Sequence, residues 1–354
     1  MSKFNSNIVV GLALLMLIFS SCKKEEFGPQ CINCEENAIS PSIQNDVIIV
    51  NEGNFGFGNA SLSLYNSTSK TVHNSIFQQA NNYPLGDVAQ SAYCFEKKIY
   101  TVINNSSKIE VIDKSNFSSI ATITGFDSPR YFLPINSSKA YVSNIFSNKI
   151  DIINLTNNTI SGSITTSSNW TEKMLVFNDT VYVCDMSNNK LILINKTNNQ
   201  IIANISVGIQ PNSLILDKNN KIWIMCDGGF NEANAQLIKF NPNIRTVEQT
   251  FVFSNISDSP SNLIIDSSKE NLYFINNHIY KMNINDMSLP SSSWVSNNGE
   301  VFYSLGIHPT TYEIYVSDAK DFVQNSTIYI YSPNQQLYHQ FQSGINAGHF
   351  LFLQ

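Results

Sequence analysis

Histidine is sparse in this chain of 354 residues, and the five present (73, 278, 308, 339 and 349) are dispersed. No H-E-x-x-H, G-x-S-x-G or G-x-x-x-x-G-K-[ST] occurs, so zinc protease, nucleophile-elbow hydrolase and P-loop chemistry have no sequence support. Lys and Arg are scattered without a basic stripe and the net charge is −6, which argues against a nucleic-acid partner. Cysteine is limited to six residues. Cys31 and Cys34 form a C-x-x-C with no second ligand pair for zinc and no strand–helix context for a redox motif, so a small local disulfide is expected. Cys94, Cys184 and Cys226 fall inside apolar runs and read as small buried hydrophobes.

Helical periodicity is absent as well. What replaces it is most legible between Val181 and Asp217, where Val181–Cys184, Leu191–Ile194, Ile201–Ser206 and Ser213–Leu216 are apolar runs separated by Asn, Asp, Ser, Gly and Pro. Runs this short, rich in Val and Ile and punctuated by turn residues, are strand signals. The same unit recurs. An x-Tyr/Trp-x strand appears at Ile99–Val102, Ala140–Ser143, Val181–Cys184, Ile222–Met225, Leu272–Ile275 and Ile314–Ser317, and Val47–Val50 is a seventh copy without the aromatic. The markers Tyr100, Tyr141, Tyr182, Trp223, Tyr273 and Tyr315 are 41, 41, 41, 50 and 42 residues apart. A repeat of about 40–45 residues with four strands per unit is that of a β-propeller blade.

The fold class is therefore all-β: a seven-bladed β-propeller with four antiparallel strands per blade. With the marker as strand B, the innermost strands A are expected at Ala89–Phe95, Arg130–Ile135, Lys173–Phe177, Ser213–Asp217, Asn262–Asp266, Ser304–His308 and His349–Leu353. The chain then begins on a B strand and ends on an A strand, so the C-terminal segment closes the ring beside Val47–Val50 and hides two sheet edges.

Residues 1–22 read as a targeting segment: Lys3, an apolar core Ile8–Phe19 too short to span a bilayer, then Phe19-Ser20-Ser21-Cys22. Small residues before a cysteine resemble a bacterial lipoprotein cleavage site, which makes Cys22 the lipidation position. Lys23-Lys24-Glu25-Glu26 is similar to the signal that carries Bacteroidetes lipoproteins to the outer face of the outer membrane. The chain is thus expected to be anchored to a membrane, not to span it. Residues 23–45 are polar and aperiodic and read as a tether, leaving 46–354 for the propeller. The Asn-x-Ser/Thr triplets, such as those at Asn154 and Asn204, read as turn vocabulary.

Function is expected on the face that carries the B–C and D–A loops. Two features mark it: aromatics in loops (Phe55, Phe57, Tyr83, Tyr131, Phe146, Trp170, Phe230, Tyr303), and two long Gly-containing loops, 51–59 and 227–234. The candidate ligand-binding residues are Asn51, Glu52, Asn54, Phe55, Tyr83, Arg130, Tyr131, Phe146, Trp170, Asp185, Asp227, Phe230, Asn231 and Asp318. Glu52, Asp185, Asp227 and Asp318 recur at the ends of B strands, where they either ring a channel mouth or make turn hydrogen bonds of their own. No catalytic residue, resident metal or cofactor is expected.

The first blade, NEGNFGFGNASLSLYN (51–66), resembles the opening blade of YncE-like seven-bladed surface lipoproteins of Bacteroidetes, the BtuG-like (DUF5074) group. The phrase VG-x-x-P-x-x-L-x-x-D at 207–217 and the closing Ala347-Gly348-His349-Phe350 are similar to that group too. Beyond the first blade the likeness is largely a generic propeller pattern. The resemblance implies a surface lipoprotein that binds cobalamin or a related corrinoid and passes it to a TonB-dependent outer-membrane transporter. It carries no ligand contact residue by residue, because no cobalamin-specific motif is present. The alternatives are a protein-interaction propeller of a surface complex and a metal-dependent lactonase-type hydrolase.

Overall fold

The computed structural model describes residues 46–353. The targeting segment, the tether, Cys22, Cys31 and Cys34 lie outside the described residues. Seven antiparallel sheets are arranged as blades. From the axis outwards, blade 1 is Ala347–Phe352, Asp46–Asn51, Ser61–Asn66 and Thr71–His73, and blade 2 is Ala89–Phe95, Lys98–Ile103, Lys108–Asp113 and Ser119–Thr124. Blade 3 is Pro129–Asn136, Lys139–Asn144, Lys149–Asn154 and Thr159–Thr165; blade 4 is Thr171–Phe177, Thr180–Asp185, Lys190–Asn195 and Gln200–Ser206. Blade 5 is Pro211–Leu216, Ile222–Cys226, Gln236–Asn241 and Thr246–Val252, and blade 7 is Phe302–Ile307, Ile314–Asp318, Asn325–Tyr331 and Leu337–Ile345.

Two features depart from the sequence expectation. Blade 6 has Ser261–Ile265, Asn271–Asn276 and His278–Asn283, and its outer position holds only a bridge between Ile279 and Val295. The segment after Asn283 is rich in Ser, Pro and Asn, which do not sustain a ladder. Between blades 1 and 2 the chain forms a short helix, Ile76–Asn81, which buries Ile76 and Phe77.

The repeating aromatic of strand B is the packing unit. Tyr100, Tyr141, Tyr182, Trp223, Tyr273 and Tyr315 are all buried, as is Ile48 at the same place in blade 1. They pack across blade boundaries: Tyr100 stacks on Phe132 of blade 3 at 4.3 Å between ring centroids. Apolar clusters straddle the consecutive pairs 2–3, 3–4, 4–5, 5–6, 6–7 and 7–1. Each such ring buries ~150–250 Å² and contributes on the order of 2–3 kcal/mol. Cys184 and Cys226 belong to the cluster between blades 4 and 5, and Cys94 is half-buried; all three are free.

The ring closes as the alternation predicts. Val47, Ile48, Ile49 and Val50 pair with Phe352, Leu351, Phe350 and His349. Asn51, wholly buried, locks the seam: its side-chain amide donates to Ser63 Oγ at 2.9 Å and its Oδ1 accepts from Gly344 N at 3.0 Å.

The far face is made by Asx turns. Asn66, Asp113, Asn154, Asn195, Asn241 and Asn283, each the last residue of a C strand, accept from the backbone N–H two residues on. An Asn or Asp side chain there replaces a backbone carbonyl, which is why the turns are so rich in these residues. Asn154 fits the turn reading, whereas Asn204 sits inside strand D of blade 4.

Candidate functional site at the channel mouth

On the opposite face the B–C loops of blades 1 to 5 and 7 are each tied to the D–A loop beside them by a backbone bond just after strand B. The pairs are Glu52 N–Asn346 O, Asn104 N–Val88 O, Ile145 N–Ser128 O, Met186 N–Trp170 O, Asp227 N–Gln210 O and Ala319 N–Val301 O. The two loop families therefore form one surface around the axis.

Every innermost strand enters that surface through a β-bulge. In the A–B pairings the register shifts at Gly348, Gln90, Arg130, Glu172, Asn212, Asn262 and Tyr303 in blades 1 to 7. A bulge places one extra residue against one partner and re-aims its side chain. In blades 3 and 7 the extra backbone N–H is satisfied by the serine that ends the x-Tyr-Val-Ser motif: Tyr131 N donates to Ser143 Oγ at 3.1 Å and Ser304 N to Ser317 Oγ at 2.9 Å.

The bulge residues form a ring of seven at the axis, and most are joined to one another. Arg130 Nε donates to Glu172 Oε1 at 2.7 Å, and Arg130 Nη1 donates to Gln90 Oε1. Trp170 Nε1 donates to the same Glu172 oxygen at 2.5 Å. Tyr303 Oη donates to Glu52 Oε2 at 2.8 Å. Asn212 and Asn262 tie blade to blade, donating to Pro260 O at 3.0 Å and Tyr303 O at 2.9 Å. Gly348 is the gap in this ring: a Cβ there would lie 2.2 Å from Glu52 Oε1, so glycine is what lets Glu52 lean over the axis. Burial pushes the Glu52 carboxyl up to about 7, against the hydrogen bond from Tyr303 and the charge of Arg130. One residue further in lie Tyr131, Lys173 and His349. Burial pushes the Lys173 ammonium down, and burial with the nearby Lys173 charge pushes His349 down to about 4.

Outside this polar cup stands an apolar rim. Phe55 (75% exposed), Phe57 (76%), Phe146 (81%) and Phe230 (94%) come from the B–C loops of blades 1, 3 and 5, and Phe322, less exposed, from that of blade 7. Phe146 and Phe322 hold positive φ values of 64° and 62°, a conformation that normally goes to Gly or Asn.

The residues singled out from sequence are thus distributed unevenly. Glu52, Arg130, Tyr131 and Trp170 converge on the cup; Phe55, Phe146 and Phe230 stand on the rim, beside the exposed Asn231. Asn54 donates to Phe322 O at 2.6 Å and braces the loops of blades 1 and 7. Asn51 is inside the closure seam. Tyr83 packs edge-on against Phe77 and donates to Glu110 Oε1 at 3.3 Å, away from the cup. Asp185 and Asp318 are buried in turn bonds, Asp185 with Asn188 and Asp318 with Val301 N and Lys320 N. Asp227 accepts from Gly229 N and Asn212. Among the described residues no three His, Cys, Asp or Glu side chains are grouped as ligands of a metal. Also among them, no helix is long and apolar enough to cross a membrane.

Gln90, Glu172, Lys173, Asn212, Asn262, Phe322 and His349 were not among the sequence candidates. A signal existed for the ring: its members in blades 2 to 7 stand 10 to 12 residues before the buried aromatic of strand B. Nothing in the pattern says that a bulge turns them inward.

Solved structures with the same architecture come from varied proteins. A quinonprotein alcohol dehydrogenase-like protein from Bacteroides thetaiotaomicron matches with a TM-score of 0.68 at 15% identity over 88% of this chain and 78% of its own. A 6-phosphogluconolactonase candidate from Bacteroides fragilis matches at 0.66 and 11% over 88% and 98%. A protein of unknown function from Desulfotomaculum acetoxidans matches at 0.67 and 12% over 87% and 99%. At these identities the likeness is of fold alone. No curated protein sequence matches. The family model described as domain of unknown function DUF5074 matches residues 45–344, nearly the whole propeller, and the chain belongs to that family.

Proposed function

We propose that this propeller is a binding protein that holds a bulky amphipathic ligand across its channel mouth, with cobalamin or a related corrinoid as the ligand. The observation that carries the reading is the concentric arrangement of a hydrogen-bonding cup (Glu52, Gln90, Arg130, Glu172, Tyr303) inside a rim of exposed phenylalanines. Exposed aromatics grouped about a polar centre are what a ligand with an apolar body and polar edges requires. The cavity on the Arg130 and Glu172 side of the cup, lined also by Trp170, Asn212 and Asn262, has a volume of about 180 Å³, below the roughly 300–1,000 Å³ of a site that engulfs a drug-sized ligand. A corrinoid therefore lies over the mouth, its amide-bearing edge on the cup and its faces against Phe146, Phe230 and Trp170. With Cys22 as the lipid anchor and Lys23-Lys24-Glu25-Glu26 as the export signal, the propeller would stand on the cell surface, where a TonB-dependent transporter would take the ligand onward.

Isothermal titration of cyanocobalamin into the protein tests the reading. Submicromolar binding that weakens at least tenfold in Trp170→Ala and Phe146→Ser is expected. Absence of binding heat, with no coloured ligand co-purifying, removes the corrinoid and leaves a protein partner for the same face, which pull-down would detect.

A further inference from the structure

Below the mouth the channel continues into a second cavity of about 170 Å³, lined by Tyr131, Phe132, Lys173, Leu214 and His349. Lys173 and Tyr131 line both spaces, so they stand between cup and channel. The charges above are spoken for: Arg130 by Glu172 and Gln90, Glu172 also by Trp170, and Glu52 by Tyr303. Lys173 differs. Among the described residues its ammonium makes no ion pair and no hydrogen bond, and its neighbour is the ring of Tyr131, 5.9 Å from Nζ to the centroid. His349 Nε2 lies 3.1 Å from Ala92 O. A carbonyl only accepts, so the proton is on Nε2 and Nδ1 carries none. The imidazole is neutral at physiological pH, held so by burial and by Lys173. The upper channel thus contains one cation in a largely apolar wall, and the nearest carboxylate, Glu172, whose charge favours the ammonium, is already bonded to Arg130 and Trp170. A half-buried ammonium without an ion pair is incompletely solvated, and an anion that reaches it recovers that cost.

We infer that the channel beneath the mouth is a small-oxyanion site, in which Lys173 binds a carboxylate or phosphate group while the Tyr131 ring covers the ammonium. The cavity far exceeds the ~30 Å³ that a water occupies in the liquid, so it admits such a group and excludes the bulk of a large ligand. The site does not depend on which ligand covers the rim.

The test is the melting temperature of the protein in sodium phosphate and in sodium acetate, each against sodium chloride at equal ionic strength. For the wild type a saturable rise of ~2–5 °C is expected. In Lys173→Met the saturable part disappears, leaving only the non-specific effect of phosphate. Lys173→Arg retains the rise. A response to phosphate alone assigns phosphoryl groups and one to acetate assigns carboxylates; either supports the site. No rise over chloride, or the same rise in Lys173→Met, overturns it. Anion stabilisation without cyanocobalamin binding sinks the corrinoid reading and keeps the channel site; corrinoid binding without an anion response does the reverse.

Discussion

The two faces of the ring repeat to the same sevenfold plan and use it differently. On the far face the last residue of strand C is Asn or Asp in six successive blades, and it does one job, closing an Asx turn. At the mouth the bulge position holds Gly, Gln, Arg, Glu, Asn, Asn and Tyr. The backbone event is shared, but the side chains are not, and they bond to one another instead of to their own turns. Chemical uniformity at a repeated position marks what the blade needs in order to fold. Divergence at a repeated position marks where side chains of different blades meet, and that difference is what singles out the candidate site.

Removing the closing strand, by ending the chain at Asn346, breaks both faces at once. It exposes the edge of Asp46–Asn51 and strips the apolar contacts of Phe350 and Phe352, so a loss of the cooperative melting transition by circular dichroism is expected. Arg130→Met comes next. It leaves Glu172 buried without its cation, and about 2–4 kcal/mol should be lost in chemical denaturation, less than for a fully buried pair because Arg130 is 20% exposed. A substitution on the other face, Asn154→Ala or Asn195→Ala, should cost about 1 kcal/mol and leave every ligand measurement unchanged. If it altered binding, the division of labour between the faces would be wrong.

The pH profile sharpens the comparison further. Glu52 titrates near 7 in the fold against 4.5 when exposed, so between those values the native state holds the extra proton. Its contribution to stability is greatest below about 4.5 and is lost as pH rises through 7. Asp46, pushed by burial up to about 6, adds the same sign over a lower window. Glu52→Gln should flatten the upper part of the fall in urea midpoint against pH and leave the lower part. Smallest in stability is Phe55→Ser with Phe230→Ser, expected within about 0.5 kcal/mol of wild type because both rings are in solvent, yet with weakened ligand binding.

The sequence could be read well wherever local chemistry repeats. Tyr100, Tyr141 and Tyr182 announce strand B because a buried aromatic in a short β run recurs at constant spacing, and His349–Leu353 could be placed as the closing strand because no A strand precedes Val47. Blade 6 departs from the repeat only at its outer edge, where the Ser-, Pro- and Asn-rich segment after Asn283 leaves a bridge in place of a fourth strand. At the site, Phe146 and Phe230 were legible as aromatics in turns. Glu172 and Lys173 were not, because polar residues at the start of a strand look the same whether they face solvent or an axis. Asp185 and Asp318 resemble site carboxylates in sequence, and only the fold shows them occupied by backbone N–H groups, of Asn188 for the one and of Lys320 and Val301 for the other.

Strand identity, blade number and ring closure follow from periodicity and turn chemistry, which act over a few residues and so are written in the order of the chain. Which side chains meet at the axis depends on seven bulges, each from a different blade, pointing into one space. Gln90 and Arg130 are 40 residues apart along the chain and Arg130 and Glu172 are 42 apart, and only packing of successive blades brings each pair into hydrogen-bonding distance.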